Sequence, residues 1–330
     1  PRWSPDGNKL AFLSDRDDAG QRQIYVLDRS GGEARCLTTI SGAIPSPRTL
    51  SPLEWTPDGK ALAFLKQDVD SYDASNDTNN LDAIEFEKFP KYVRLWFADV
   101  NSGETQCVSP DGLQIWEFSI SREHNKVAAV ASNLPFEQDW YINRLVTFEP
   151  SGPSINVYQT HRQLAKPMWS PDGSMIACLT SNWSDRGVDS GDIAVVRIGR
   201  KDNVPIKSLS ILTKGHDASY ERFEWTSDGK SLIAIANKQG GSGIAKIELS
   251  SGQREWIWAK KCFLSSFSRD QSGRFAALIE TPDHPPNIHI GENNGNPNSK
   301  HSISWKIITN LNAKTAITKA KIKIRSGIDV

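Results

Sequence analysis

The chain of 330 residues carries 39 basic and 39 acidic residues, so its formal net charge is zero. This balance argues against a nucleic-acid footprint or a polybasic membrane patch, because both need clustered positive charge. The sequence has no run of about 18 apolar residues and no signal-like start, so we predict neither a membrane span nor a targeting segment.

A short motif recurs along the chain and organises it. Residues 3–7 and 169–173 both read Trp-Ser-Pro-Asp-Gly, and each copy is followed by an apolar run. Proline presets φ at the first corner of a turn, aspartate can bond to the backbone, and glycine accepts positive φ, so the motif predicts a β-hairpin. Looser copies start at the aromatic residues Trp55, Phe118, Trp225 and Phe267.

The spacing of these copies predicts the architecture. The six aromatic positions (3, 55, 118, 169, 225 and 267) give steps of 52, 63, 51, 56 and 42 residues. A repeat of this length made only of strands fits a four-stranded propeller blade. We therefore predict an all-β fold, a β-propeller with about six blades in this chain. The expected blades cover residues 1–38, 53–109, 113–159, 165–213, 220–258 and 263–309.

Two segments depart from the repeat. Residues 68–80 are rich in Asp, Asn and Ser and predict a solvated insertion loop in the second blade. Residues 319–325 alternate basic and apolar side chains, which predicts a strand. We assign 1–312 to the propeller and 313–330 to a linker and first strand that lead to a further domain. Because the chain starts at Pro1 rather than Met, we interpret it as a fragment of a longer protein.

Four cysteines lie about 70 to 85 residues apart, mostly in strand-like runs. This spacing does not suit a metal site. We expect buried free thiols, which favour a reducing compartment and so a cytoplasmic location. The four positions are Cys36, Cys107, Cys178 and Cys262.

An ordered set of segments resembles the propeller of the prolyl oligopeptidase family of serine peptidases, in its acylaminoacyl-peptidase and dipeptidyl-peptidase-like branch. The hairpin motif alone is shared with TolB-like propellers, but the ordered set is more specific. The set consists of the opening 3–16, 85–87 leading into 92–96, 114–118, 184–187 before 191–192, and the closing 311–312 with 324–329.

This resemblance implies a non-catalytic propeller that precedes an α/β-hydrolase domain, caps its active site and filters short peptides. The implied partners are that domain, which would follow this chain, and the peptides themselves. Members of this branch usually have seven blades, so one blade is expected upstream of Pro1. No cofactor is expected.

The chain itself is not expected to catalyse hydrolysis. A hydrolase of this family needs a Gly-x-Ser-x-Gly nucleophile elbow, and the sequence contains none. The nearest string, residues 240–243, lacks the final glycine, and we interpret it as a flexible turn. The histidines are dispersed, so we assign no catalytic residue and no metal ligand.

Two clusters are candidate site residues. The resemblance to dipeptidyl peptidases implies that Glu85 and Glu87, with Arg94, bind the free amino terminus of a substrate, since an anionic pair can hold an ammonium group. The alternative is that these charges form ordinary surface ion pairs. Trp183, Asp185 and Arg186 lie in a loop long enough to reach a domain interface, and the alternative there is a self-satisfied Asp-Arg turn.

Two other functions stay open. A TolB-like propeller would dock a protein or peptide on its top face and needs no hydrolase domain. A sugar or lyase-type propeller enzyme would need histidines and carboxylates clustered around the central channel, and the dispersed histidines argue against it.

Overall fold

A computed structural model describes residues 1–45, 52–69, 90–122, 125–187, 190–199, 209–270, 272–282, 284–293 and 303–310. The expected linker at 313–330 lies outside these ranges. The strands form six antiparallel four-stranded sheets, so the predicted all-β propeller with six blades is confirmed. Within these ranges, no helix has the length and apolar character needed to cross a membrane.

Each blade consists of four strands that are consecutive in the chain and pair in that order. Blade 1 contains β1 (Arg2–Trp3), β2 (Lys9–Ser14), β3 (Gln23–Asp28) and β4 (Arg35–Cys36). Blade 2 contains β5 (Leu53–Trp55), β6 (Ala61–Gln67), β7 (Val93–Asp99) and β8 (Thr105–Cys107). Blade 3 contains β9 (Gln114–Ile120), β10 (Val127–Ser132), β11 (Arg144–Phe148) and β12 (Ile155–Gln159), with the short helix α1 (Glu137–Trp140) between β10 and β11.

The second half of the chain repeats this order. Blade 4 contains β13 (Gln163–Trp169), β14 (Met175–Ser181), β15 (Asp192–Arg197) and β16 (Ser210–Ile211). Blade 5 contains β17 (Ser219–Trp225), β18 (Ser231–Lys238), β19 (Gly241–Glu248) and β20 (Arg254–Lys260). Blade 6 contains β21 (Phe263–Arg269), β22 (Phe275–Thr281), β23 (His284–Asn293) and β24 (Ile303–Ile307).

The hairpin between the first two strands of a blade has the chemistry that the motif predicts. In blade 4, Gly173 has a φ of 65° and donates its N–H to the carbonyl of Ser170 at 2.9 Å. Asp172 Oδ1 accepts a hydrogen bond from the Ser174 N–H at 3.2 Å. The Ser170 hydroxyl also donates to Asp172 at 2.7 Å, a contact the sequence analysis did not predict. The position after the aromatic residue is Ser or Thr in all six repeats. Four of these residues make this contact to the aspartate two positions later, namely Ser4, Thr56, Ser170 and Thr226.

The core lies between the blades. Five clusters of buried apolar side chains join the six blades pairwise in chain order, and we call each cluster a seam. Fully burying one such side chain contributes about 1.5–3 kcal/mol, so the seams hold the blades in place. In the described part of the chain, no buried apolar cluster joins blade 6 to blade 1. Representative buried residues of seams 1–2 to 5–6 are Phe64, Phe148, Ile176, Tyr220 and Ile244.

Four of the six innermost strands carry a β-bulge near the same place. In β9 the extra residue is Trp116, and in β17 it is Glu221. The pairing of β13 also shifts around Lys166, which has a φ of 53°, and that of β21 shifts at Ser265. A bulge increases local twist and redirects side chains, so it determines which residues of the innermost strands face the propeller axis.

The expectation of buried thiols is right for two cysteines and wrong for two. Cys178 and Cys262 are buried, whereas Cys36 is exposed and Cys107 is half-buried. Cys36 lies in β4 and Cys107 in β8, which are outermost strands, and an outermost strand is the least covered part of a blade. Burial raises the pKa of the Cys178 thiol to about 12.

Candidate functional site

The two ends of the propeller differ in their connections. The hairpins after the first strand of each blade are short and lie at one end. Because neighbouring strands are antiparallel, the connections after the second strands begin at the opposite end, which we call the loop end. They span 15–22, 68–92, 133–143, 182–191, 239–240 and 282–283. Of the predicted site residues that the structure describes, Trp183, Asp185 and Arg186 lie in one of these connections, and Arg94 lies directly beside another.

Arg94, at the start of β7, is held by an ion pair. Its Nη2 atom donates to Asp111 Oδ1 at 2.6 Å and to the carbonyl of Ser109 at 3.2 Å. The Arg94 side chain is only 18% exposed, so this pair orients it closely. Its predicted companions Glu85 and Glu87 lie outside the described residues. The Arg94–Asp111 pair matches the alternative of an ordinary ion pair.

The second predicted cluster separates into a buried and an exposed part. Trp183 is buried and stacks on Trp140 of α1, with ring centroids 6.1 Å apart. Its indole N–H donates to the carbonyl of Ser190 at 2.9 Å, and its backbone N–H donates to Gln163 Oε1 at 2.7 Å. The Trp183 side chain therefore belongs to the core, where it fixes the loop that follows it.

Arg186 and Asp185 lie on the outside of that loop. The Arg186 guanidinium carbon is 4.3 Å from the ring centroid of Trp116, within the range of a cation–π interaction. Asp185 is exposed and accepts a hydrogen bond from the Ser184 hydroxyl at 3.2 Å. The Tyr141 hydroxyl donates to the carbonyl of Ser184 at 2.6 Å, which ties α1 to the same loop.

These contacts form one structure at the loop end of blades 3 and 4, which we call the aromatic ridge. It comprises Trp116, Trp140, Tyr141, Trp183 and Arg186. The sequence analysis named only Trp183 and Arg186, although the excess of tryptophans outside the hairpin motif was an available signal. Trp116, Tyr141 and Arg186 of the ridge are partly exposed at the loop end, and they lie over the buried rings of Trp140 and Trp183.

A second candidate site, missed by the sequence analysis, lies along the axis. The innermost strands carry four carboxylates and four cations, namely Glu54, Glu117, Glu221 and Glu224 with Arg2, Lys166, Arg222 and Arg269. Several link different blades. The Lys166 backbone N–H bonds to the Glu117 carboxylate, and Lys166 Nζ donates to the carbonyl of Glu221 at 2.7 Å. We call these eight residues the axial belt.

The repeat itself gave a signal for this belt. Arg2, Glu54, Glu117 and Glu224 each directly precede a repeat aromatic residue. Two of these positions have similar surroundings, and desolvation by burial raises the pKa of both Glu54 and Glu224 to about 7. Glu54 Oε1 also accepts a hydrogen bond from the Ile120 N–H at 3.4 Å, which partly opposes that shift. These two carboxyls change protonation near neutral pH.

The glycine-rich string of blade 5 is only partly a turn. Gly240, with a φ of 71°, belongs to the turn, but residues 241–243 begin strand β19. A Cβ atom at Gly243 would lie 2.5 Å from the carbonyl oxygen of Trp258, so this glycine permits close strand packing. Within the described ranges, no group of three or more His, Cys, Asp or Glu residues is placed to hold a metal ion.

Two curated proteins match short segments of the chain. No family model matches the chain. A segment of 63 residues is 48% identical to the uncharacterized peptidase YuxL of Bacillus subtilis and covers 19% of this chain and 8% of that protein. A segment of 64 residues is 36% identical to the Tol-Pal system protein TolB of Alcanivorax borkumensis and covers 19% of this chain and 13% of that protein. The matches thus span a small part of these curated relatives.

Solved structures are similar over most of the chain. Pyrococcus horikoshii acylaminoacyl peptidase has a TM-score of 0.63 at 15% identity, over 95% of this chain and 45% of the peptidase. The propeller domain of the trilobed protease from Pyrococcus furiosus has a TM-score of 0.59 at 16% identity, over 94% of this chain and 84% of that domain.

An oligogalacturonate lyase in complex with manganese has a TM-score of 0.65 at 16% identity, over 87% of this chain and 72% of the lyase. At such identities, each likeness shows the fold alone. The peptidase segment and the propeller fold agree with the set of motifs found in the sequence. The chain carries a β-propeller similar to the propellers of prolyl oligopeptidase family peptidases.

Proposed function

We propose that the chain is the non-catalytic propeller of an acylaminoacyl-peptidase-like serine peptidase. It covers the active site of an α/β-hydrolase domain and filters short peptides. The observation that carries the proposal is the segment 48% identical to a bacterial peptidase. The fold likeness to an acylaminoacyl peptidase over 95% of this chain supports it.

The seams give the proposed filter a physical basis. Buried side chains such as Phe64 and Ile176 fix neighbouring blades against each other. A ring closed by seams of this kind in the full protein would surround a central channel of fixed width. A passage of fixed width admits an extended peptide and excludes a folded domain, so substrate size is selected before any chemistry occurs.

The residues of this chain indicate which parts of the proposed function it would supply and which the hydrolase domain would supply. The 330 residues contain no Gly-x-Ser-x-Gly elbow, so the nucleophilic serine would come from the hydrolase domain. This chain would contribute the covering surface. The aromatic ridge, with Trp116 and Arg186 stacked at the loop end, is our candidate for the face that meets that domain. The buried Trp183 would hold the loop that carries Arg186 in place.

The test begins with the reading frame that encodes this chain. The frame is sequenced in both directions, and its full product is assayed on acyl-aminoacyl and dipeptidyl chromogenic substrates, with and without a serine-directed phosphonate. We expect a downstream α/β-hydrolase domain and cleavage that the phosphonate abolishes. A frame that encodes no hydrolase, or a full product inert on both substrate classes, would overturn the proposal.

If cleavage is found, the product is also tested on a peptide series and on folded proteins that carry the same cleavable sequence. The filter requires cleavage of the short peptides and sparing of the folded proteins. The Glu85→Ala and Glu87→Ala variants then test recognition of the amino terminus. Both should raise KM for free dipeptidyl substrates and leave acylated substrates unchanged.

A second function is favoured by the segment that is 36% identical to a TolB protein. The structure of TolB from Acinetobacter baumannii has a TM-score of 0.53 over 91% of this chain. Under this alternative the propeller binds a protein or peptide without any hydrolase domain. The same sequencing experiment distinguishes the two, because a frame without a hydrolase domain favours the binding module.

A further inference from the structure

Arg222, a member of the axial belt, points away from the buried side chains of seam 4–5. On the same strand, Tyr220 and Phe223 pack into seam 4–5, and the indole N–H of Trp225 donates to the carbonyl of Met168 in blade 4. The bulge at Glu221 keeps these three side chains on one face of β17. Since neighbouring residues on a strand alternate, Arg222 lies on the opposite face, away from blade 4.

Among the residues that the structure describes, the Arg222 guanidinium has no ion-pair partner. It is half-buried, and its Nε atom is buried without a hydrogen-bond partner. Two other arginines, Arg94 and Arg254, also have one unpartnered nitrogen, but each forms an ion pair, with Asp111 at 2.6 Å and Asp217 at 2.5 Å. Among the described residues, Arg222 makes no ion pair.

The positive charge of Arg222 acts on a second arginine, Arg2, from another blade. Arg2 of blade 1 is exposed along the axis, yet nearby protein atoms desolvate it and lower its pKa. Glu54 opposes this shift, and the positive charge of Arg222 adds to it. Blades 1 and 5 are not neighbours in the chain, so this electrostatic interaction acts between two different sides of the propeller.

The four carboxylates of the axial belt have other interactions. Glu54 acts on Arg2 and accepts the Ile120 N–H. Glu117 accepts the Lys166 backbone N–H, Glu221 accepts the Asn237 side-chain amide at 3.4 Å, and Arg269 acts on Glu224. A half-buried guanidinium that has an unpartnered nitrogen and no ion-pair partner is unfavourable, and a bound anion removes that cost. The planar fork of a guanidinium matches a carboxylate in two parallel hydrogen bonds.

We propose that Arg222, together with Arg2, forms a binding site at the propeller axis for the carboxylate of a short peptide. The site deepens the proposed function and rests on it in one respect, that short peptides reach the axis. The belt as a whole is balanced, with four carboxylates and four cations. A balanced lining suits a zwitterionic peptide better than a polyanion such as phosphate, which the neighbouring glutamates repel.

The test uses this chain and three probes. N-acetyl-trialanine with a free carboxylate, its carboxamide, and inorganic phosphate are titrated by calorimetry at low ionic strength. We expect the carboxylate to bind at least about tenfold more tightly than the amide, since a charge-assisted hydrogen bond is lost in the amide. Equal binding of acid and amide, or tighter binding of phosphate, would overturn the proposal.

Substitutions locate the site. Arg222→Gln should weaken binding of the free acid about tenfold and leave the amide unchanged, whereas Arg222→Lys should retain part of the affinity. Arg162→Gln is the matched control, because Arg162 pairs with Asp192 at 3.5 Å outside the axial belt. Thermal unfolding of each variant verifies that it is folded. Affinity that is unchanged in a folded Arg222→Gln variant contradicts the site.

The experiments distinguish a failure of the carboxylate site from a failure of the proposed peptidase function. If the full product cleaves peptides but acid and amide bind equally, the carboxylate site is wrong and the peptidase proposal stands. If the reading frame lacks a hydrolase but the free acid binds in an Arg222-dependent way, the site stands and the peptidase proposal is wrong.

Discussion

Blades 1 and 2 contain the same repeat, but the repeat tryptophans of the two blades have different surroundings. Trp55 is buried, and its indole N–H donates to the carbonyl of Arg2 at 2.9 Å. Trp225 makes the equivalent bond to the carbonyl of Met168 at 3.2 Å. Trp3 occupies the same repeat position and is 57% exposed. Trp169 is also buried, in seam 3–4, although its indole N–H has no hydrogen-bond partner. The burial of a repeat tryptophan thus depends on the presence of the preceding blade.

Blade 6 shows the same contrast at the other end of the series. Its side chains toward blade 5 are buried, as for Leu264 and Ile279. Several other large apolar side chains of this blade are exposed. They are Phe263, Ile288 and Ile307, with Ile308 directly after β24. A blade of this protein therefore needs a neighbour on each side before all of its apolar surface is covered.

The largest expected effect contrasts a buried and an exposed phenylalanine. Phe64→Ala, in seam 1–2, should lower the free energy of unfolding by about 3–5 kcal/mol, because it removes a fully buried ring and leaves a cavity. Phe263→Ala removes a ring that is 51% exposed and should cost less than about 1 kcal/mol. Denaturant unfolding measures both values. Equal losses of unfolding free energy would show that burial between blades does not determine the cost of removing a phenylalanine ring.

The second prediction concerns pH and the axial belt. The pKa of Glu54 is about 7 in the folded chain against 4.5 for the free side chain, so the folded state binds the extra proton. The free energy of unfolding should therefore fall as pH rises from about 4.5 to 7. The slope from Glu54 should stay below about 1.4 kcal/mol per pH unit, since this half-buried carboxyl is partly screened by solvent.

Substitution separates this contribution from all others. Glu54→Gln should flatten the pH dependence between pH 5 and 7, and chemical denaturation at several pH values measures it. Glu255→Gln, at an exposed position of β20, is the control and should leave the dependence unchanged. A Glu54→Gln profile that parallels the unsubstituted chain would show that Glu54 titrates normally.

The third prediction isolates the indole hydrogen bond. Trp55→Phe keeps an aromatic ring and removes the bond to the Arg2 carbonyl, so it should cost about 1–2 kcal/mol including the lost contact area. The same change at Trp3, where the indole is exposed, should cost less than about 0.5 kcal/mol. The difference is measured from denaturation midpoints. Similar costs at both positions would remove the distinction between the two tryptophans.

The smallest effect concerns the aromatic ridge. Arg186→Gln removes the cation over Trp116 and should cost about 0.5–1 kcal/mol. Arg197→Gln, on an exposed position at the end of β15, should have no measurable effect. Thermal unfolding of the two variants provides the comparison. If Arg186→Gln lowers the stability no more than Arg197→Gln does, the Arg186 cation does not stabilise the ridge.

Local chemistry explains what the sequence analysis could predict. Each hairpin depends on five neighbouring residues, such as the turn that ends at Gly173, so the motif alone identified the strands around it. The burial of Trp183 under Trp140 depends on residues 43 positions apart, and no local pattern reports it. The bulge at Glu221 depends equally on the partner strand β18. The hydrogen bond between Ser170 and Asp172 could have been predicted from the sequence, because both residues belong to the motif.

The pairing order of the strands has a consequence for synthesis of the protein. Every described sheet is completed by four strands that follow one another in the chain, and none borrows a strand from a distant segment. A nascent chain can therefore close the hydrogen bonds of one blade while the next is still inside the ribosome. Such local pairing lowers the entropy cost of loop closure and permits stepwise folding from the amino terminus. Each finished blade then presents a template on which its successor can assemble.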